Sequence, residues 1–310
     1  MLDVKRMKVL REVASRGSFS AAAEALSFTQ SAVSQQVAAL EREVGTTLLE
    51  RGSRGVRLTD AGRTLVSHAD AILARIECAE DDLAALEGLR GGRLRLASFQ
   101  SAGATLVPRA VAQFHDRHPD VELSMVEAEP EDAQERLRAG DIDLALVYDF
   151  EPVPDTLGKD LELTHLIDDC YDAVIGKDHK LAGRRRLTLA DLSGEPWIAS
   201  TDACGCRQLT ERACLDAGFA PNVAFEADES MASQALVAAG VGVTIFPRLA
   251  LNPLHPGVVA RSLGRAAPVR RIWAAQLREG YSSAASEAML QILVDVAEEF
   301  RAQPDLVAVS

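Results

Sequence analysis

Leu65, Ala69, Ile72, Ile76, Ala79, Leu83 and Leu86 recur at alternating spacings of four and three residues. That is the a/d rhythm of a coiled-coil seam, sustained for three heptads. Thr59 caps the run, and Arg90-Gly91-Gly92 breaks it. A helix over residues 60–90 spans roughly 40 Å and cannot bury so narrow an apolar stripe alone. It needs a second copy of the chain or a face of its own domain. Pairing is the favoured expectation, giving a homodimer or, with lobe contacts added, a homotetramer. The helix also divides the 310 residues into a small head and a large body.

Head and body differ in charge. The chain carries a net −13, yet residues 1–58 hold nine Lys and Arg against six Asp and Glu. An acidic body repels a phosphate backbone, while a basic head approaches one. The opening residues Met1-Leu2-Asp3-Val4-Lys5 lack the apolar core of a secretory signal. The most apolar stretch, Leu236 to Phe246, is too short to span a bilayer. A cytoplasmic protein with five reduced cysteines and no membrane partner is expected.

Within the head, Met7, Leu10, Val13 and Ala14 predict a helix over 3–15, which Gly17 ends. Ser18 caps a second helix through Leu26, and Thr29 a third that runs to Val44 before Gly45. Val33, Val37, Leu40 and Val44 share the inner face of the third helix. Its start presents Gln30, Ser31, Ser34 and Gln35 instead. Gln pairs bidentately with adenine and Ser reaches bases or phosphates, so this end suits the major groove of double-stranded DNA. A solvated face on a small helical domain is the plainer alternative. Residues 48–59 then read as two short strands around a turn, a wing that carries Arg51 and Arg54 to phosphates or a narrow minor groove.

The sequence resembles the LysR-type transcriptional regulators. The likeness is carried by Gly17-Ser18-Phe19-Ser20-x-Ala22-Ala23, by Leu26-Ser27-x-Thr29-Gln30-Ser31-Ala32-Val33-Ser34 and by Val37-x-x-Leu40-Glu41-x-x-Val44-Gly45. It continues through Leu48-Leu49-x-Arg51 and Leu58-Thr59-x-Ala61-Gly62. Ser31 stands where the family has a helix-opening Pro. The resemblance implies base reading by Gln30, Ser34 and Gln35 and backbone or minor-groove contacts from Arg51 and Arg54, with Ser18, Thr29 and Ser31 completing the DNA-facing set. It also implies that the long helix is the dimer helix.

From residue 93 onward strand-like and helix-like segments alternate, which predicts α/β architecture with mostly parallel sheets covered on both faces. Leu106-Val107-Pro108, Phe114-x-x-x-His118-Pro119-x-Val121, Gly140-x-Ile142-Asp143-Leu144-Ala145-Leu146 and Ala238-Ala239-Gly240-Val241-Gly242-Val243 match the effector domain of the same family. The implied fold has three parts: an N-terminal all-α winged helix-turn-helix domain (1–59), the linker helix (60–90), and an α/β two-lobed, periplasmic-binding-protein-like domain. Lobe I takes residues 91–164 and 269–301 and lobe II takes 165–268, with crossings near 164 and 268. An unidentified small-molecule effector, with no other cofactor, is expected between the lobes. Candidate contacts are Ser98, Phe99, Gln100 and Ser101 after the first strand, and Ser200, Thr201 and Asp202 in the equivalent loop of the second lobe. Ser230, Met231 and Phe246 complete the set. Helix-start N–H groups and hydroxyls suit an anion, a monocarboxylate before a dicarboxylate because Asp202 repels a second charge. Each loop alone reads first as helix capping; together, at matching positions in both lobes, they read as one shared cleft.

Cys204, Cys206 and Cys214 raise a thiol-redox alternative, for which some relatives in the family offer precedent. Cys206 and Cys214 fall about 12 Å apart on one predicted helix, beyond disulfide reach. No histidine accompanies them, so no metal site is expected. No P-loop, Gly-x-Ser-x-Gly, His-Glu-x-x-His or dinucleotide fingerprint points to an enzyme. A cytoplasmic solute-binding protein without a DNA role would share the lobes but leave residues 1–60 without a use.

Overall fold

The computed structural model describes residues 2–52, 55–86, 92–150, 157–201, 205–278 and 282–302. The head begins with α1 (Val4–Arg16), whose cap Asp3 accepts from the Lys5 N–H at 2.8 Å. Gly17 ends it at φ 62°, a left-handed position natural to glycine. Helix α2 (Phe19–Ala25) starts from the Ser18 cap, and α3 (Gln30–Val44) from Thr29, whose hydroxyl accepts from the Ala32 N–H at 3.2 Å. Leu10, Val13, Val33 and Leu40 are fully buried where the three helices meet. Strands β1 (Leu49–Gly52) and β2 (Gly55–Leu58) pair antiparallel as the wing. Gly55, at φ 115°, brings the wing onto the turn after α1: a Cβ there would stand 2.9 Å from the Gly17 carbonyl oxygen. The neighbouring Val56 N–H donates to that same oxygen at 3.1 Å.

Helix α4 (Asp60–Leu86) departs from the expected seam in its first turns. Leu65 and Ala69 are buried in the core of the head rather than offered to a partner. The reason is geometric, because α4 leaves the wing across α1 and the seam's first two positions meet that helix. Further along, Ile72 and Ile76 are each 38% exposed, and Ala79 and Leu83 are exposed as well, so the open stripe is four residues long. The side chain of Leu86 lies outside the described residues.

Lobe I is built on β3 (Gly92–Ser98), β4 (Val121–Glu127) and β5 (Leu144–Phe150), with β3 parallel to both neighbours. Every residue of β5 is buried. Leu144, Leu146 and Tyr148 face α6 (Leu106–Arg117) and α10 (Ala284–Ala302), while Ala145 and Val147 face α7 (Pro130–Ala139). That period of two with helices on both faces makes the strand apolar throughout. A short helix, α5 (Gln100–Gly103), interrupts the path from β3 to α6.

The sheets are mixed rather than mostly parallel. The long strand β6 (Leu161–Gly176) pairs antiparallel with β11 (Val269–Leu277), and β11 pairs antiparallel with β5. Strand β6 then runs on into lobe II, antiparallel to β9 (Thr244–Pro247) and β10 (Val258–Ser262). Pairing with β11 continues to Cys170 and pairing with β9 starts at Tyr171, so one continuous strand makes the crossing. Strands β7 (Pro196–Ala199) and β8 (Asn222–Glu226) are parallel, with α8 (Gly205–Asp216) and α9 (Ser230–Ala238) on opposite faces of lobe II. Among the described residues no helix is long and apolar enough to cross a membrane.

Candidate DNA interface and interlobe cavity

At the start of α3, Gln30, Ser31 and Gln35 are exposed and Ser34 is half-buried. Thr29 and Ser31 share a hydroxyl hydrogen bond at 3.0 Å, and Thr29 caps the helix, so Thr29 orders the surface that Gln30 and Gln35 present. Ser18 caps α2 with an oxygen 3.4 Å from the Ala21 N–H. The Glu41 carboxylate accepts from the N–H groups of Leu48 (2.8 Å) and Leu49 (3.3 Å), which fixes the wing against α3. The side chain of Arg51 and the whole of Arg54 lie outside the described residues.

Between the lobes lies a cavity of about 90 Å³. Of the residues expected there, Phe99, Gln100, Ser101, Ser200, Ser230 and Phe246 line it. Three others do not. Ser98 is buried behind the wall, its hydroxyl donating to the Phe99 carbonyl at 3.2 Å. Thr201 stands back and donates its N–H to Asp228 at 2.8 Å. Met231 faces outward and is 44% exposed, because it follows Ser230 on α9 by one residue and so turns to another side of the helix. Asp202 lies outside the described residues.

The base of the cavity carries residues that the sequence did not single out. Arg270 on β11 is fully enclosed and donates through Nε to Asp169 Oδ2 at 2.9 Å and through Nη2 to Ser101 Oγ at 2.5 Å. Its guanidinium lies over the rings of Phe99 (4.9 Å) and Tyr148 (5.3 Å). Asp169 also accepts from the Leu249 N–H at 3.3 Å. Burial pushes the Asp169 carboxyl up while Arg270 draws it down; burial would lower Arg270, and Asp169 raises it above its ordinary value. An arginine that holds its proton and a carboxylate accepting from two donors make an ion pair, not a neutral couple. Tyr148 donates to Glu129 at 2.6 Å, and Tyr171 donates to the Cys206 thiol at 3.7 Å. Burial holds the Tyr171 hydroxyl well above the usual range, so it stays protonated.

Two helix starts face each other here. Neither α5 nor α9 has a side-chain cap, and Gln100 Nε2 donates across to Glu229 Oε2 at 3.2 Å. The first N–H groups of α9 therefore lack an intrahelical acceptor beside Ser230 on the cavity wall. The thiols divide. Cys206 lines the cavity at the first turn of α8, Cys214 is buried in the core of the lobe, and Cys204 lies outside the described residues. Burial pushes the Cys214 thiol up to about 12. Among the described residues, no group of three or more His, Cys, Asp or Glu is placed to hold a metal ion.

Comparison with known proteins adds to this geometry. Residues 4–63 match the family described as bacterial regulatory helix-turn-helix protein, lysR family, and residues 87–298 match the LysR substrate binding domain. The probable HTH-type transcriptional regulator LrrA of Synechococcus elongatus is 33% identical over 302 residues, covering 97% of this chain and 99% of that protein. A mutant of Corynebacterium glutamicum OxyR with hydrogen peroxide bound is 25% identical, covers 100% of this chain and 99% of its own, and superposes with a TM-score of 0.62. Full-length CbnR complexed with its target DNA is 23% identical, with 96% and 99% covered and a TM-score of 0.67, a likeness of fold.

Proposed function

The chain belongs to the LysR-type family of DNA-binding transcription regulators with an effector-binding domain, and we propose that its signal is a small molecule held in the cavity between the two lobes. The observation that carries this reading is the position of the cavity, walled by both lobes and based on the paired crossing strands β6 and β11. A ligand touching both lobes favours one lobe arrangement over another, which is the requirement for shifting a conformational equilibrium. The uncapped first turn of α9 receives an anionic group of that ligand. Gln30, Ser34 and Gln35 read bases, with Arg51 and Arg54 on the backbone or in the minor groove. The exposed stripe Ile72, Ile76, Ala79 and Leu83 pairs two copies through α4. The protein acts in the cytoplasm, on double-stranded DNA.

Cys206 in the cavity wall favours a second reading, a thiol sensor, given a similar fold that binds hydrogen peroxide. Cys214 opposes it, since a thiol pushed to about 12 supplies almost no thiolate at neutral pH. The test is a gel shift on the DNA upstream of the gene, with and without metabolite pools, for the natural chain and for Ala250→Phe, which fills the cavity. Loss of the metabolite response in Ala250→Phe supports the cleft. A response that survives this filling, or one reproduced by peroxide alone, sinks it.

A further inference from the structure

The charges around the cavity favour one kind of ligand over the simple anion that the two helix starts suggest. Among the described residues Arg270 is the cation in the wall, and its charge is already answered by Asp169 at 2.8 Å. Against that neutral base stand Glu129 from lobe I and Asp228 from lobe II, both lining the cavity and both exposed to what enters it. Among the described residues neither forms an ion pair: Glu129 accepts from the Tyr148 hydroxyl, and Asp228 from the N–H and hydroxyl of Thr201. Glu229 stands at the rim, tied to Gln100. An anion entering alone brings a third negative charge to these carboxylates.

A separate observation marks the cavity as a polar-ligand site. Thr244 on β9 lines it and is only 4% exposed, yet its hydroxyl has no hydrogen-bond partner among the described residues. The residue is buried but its hydroxyl is not sealed off, so a polar group entering the cavity can bond to it.

We infer that the effector carries an ammonium group as well as its anionic group, and is a small amino-acid-like zwitterion. The ammonium lies between Glu129 and Asp228, one carboxylate from each lobe, and so rewards closure of the cleft. The anionic end meets the first turn of α9, with the Thr244 hydroxyl as a free donor on the same lining. This inference rests on the cleft reading above and narrows its chemistry.

The test is thermal unfolding of the full chain with three matched probe sets. These are short α-amino acids, the same carboxylic acids without the amine, and the same amines without the carboxylate. The expected result is a rise in midpoint confined to the amino acids. Affinity for the responding amino acid should fall about tenfold in Glu129→Gln and in Asp228→Asn, the loss expected for one charge-assisted contact each. A rise from the deaminated acids equal to that from the amino acids overturns the inference. If that rise disappears in Ala250→Phe, the cleft reading still stands. No rise from any set overturns the inference too. A rise from amino acids that all three variants leave untouched puts binding outside the cleft and removes both readings.

Discussion

Arg270 and Asp169 form a buried ion pair with Nη2 and Oδ2 2.8 Å apart, where the strand leaving lobe I passes the strand that returns to it. Ser101 from lobe I and the Leu249 N–H from lobe II bond to the same pair, so four elements meet on two side chains. Removing one member leaves a buried charge uncompensated, which costs about 3–5 kcal/mol. Asp169→Asn should lower stability by that order in urea unfolding. Asp169→Asn combined with Arg270→Met should recover part of the loss. If the double variant is as unstable as the sum of the singles, the two side chains do not act as a pair.

The thiols make a pH-dependent prediction. With its thiol at about 12 in the folded chain against an ordinary 9, Cys214 is about one part in ten thousand thiolate at pH 8. A group raised in this way favours the folded state in its protonated form; that contribution is complete below about 9, the ordinary thiol value, and is lost as pH climbs from there through about 12. Iodoacetamide at pH 8, read by mass spectrometry, should therefore spare Cys214 in the native protein and label it in urea. Native labelling of Cys214 at the rate of a free thiol would show that the helix opens and would restore the thiol sensor.

Local rules reached the head almost completely. Gly17, Gly45, Ser18 and Thr29 are stop and cap residues whose roles follow from their own chemistry, and each stands where expected. The cavity was only half legible, because loop residues such as Gln100 and Ser230 advertise themselves by type. Arg270, Asp169 and Tyr148 lie inside strands, where their partners are settled by pairing register rather than by spacing along the chain. The one available signal was a pair of adjacent arginines, Arg270 and Arg271, in an otherwise apolar strand. Each meets an aspartate on a neighbouring strand, Asp169 and Asp149. The seam failed at Leu65 and Ala69 for a related reason, since a heptad rhythm does not say which partner covers each turn.

DNA contacts separate by sequence dependence. Gln30→Ala should weaken binding to the specific site by about 1–3 kcal/mol while leaving random DNA nearly unchanged. Arg54→Ala should weaken both and flatten the salt dependence. Equal losses from Gln30→Ala on every sequence would take Gln30 out of the base-reading set.

The half-exposed Ile72 and Ile76 make the association of copies testable. Ile72→Asp with Ile76→Asp puts charges into any seam formed there, and sedimentation should show dissociation toward monomer. Leu65→Asp should instead unfold the head, where Leu65 is 8% exposed. An Ile72, Ile76 double variant that sediments like the natural chain would assign the stripe to some other contact.

Gly140 is a point at which lobe I touches the linker helix. It ends α7 at φ 72°, and a Cβ placed there would overlap the Ala74 Cβ on α4. The contact continues through Asp70, the residue one turn back on α4, whose carboxylate stands 3.9 Å from Arg11 in α1. Burial, then the nearby charge of Asp141, push that carboxyl up, and Arg11 draws it down. Effector lobe, linker and DNA-binding head thus meet within a few residues, and a change at Gly140 reaches all three. Gly140→Ala carries the left-handed backbone cost of roughly 1–2 kcal/mol plus the overlap, so together about 2–4 kcal/mol. Ala74→Gly costs about 1 kcal/mol of helix propensity alone but removes the overlap while leaving the backbone cost in place. The double variant should therefore be more stable than the singles added together, by about 1–2 kcal/mol in a double-mutant cycle. Limited proteolysis within α4 should rise in Gly140→Ala and fall back in the double variant. Strict additivity of the two changes, with unaltered proteolysis, would mean that lobe I and α4 do not hold this contact in solution.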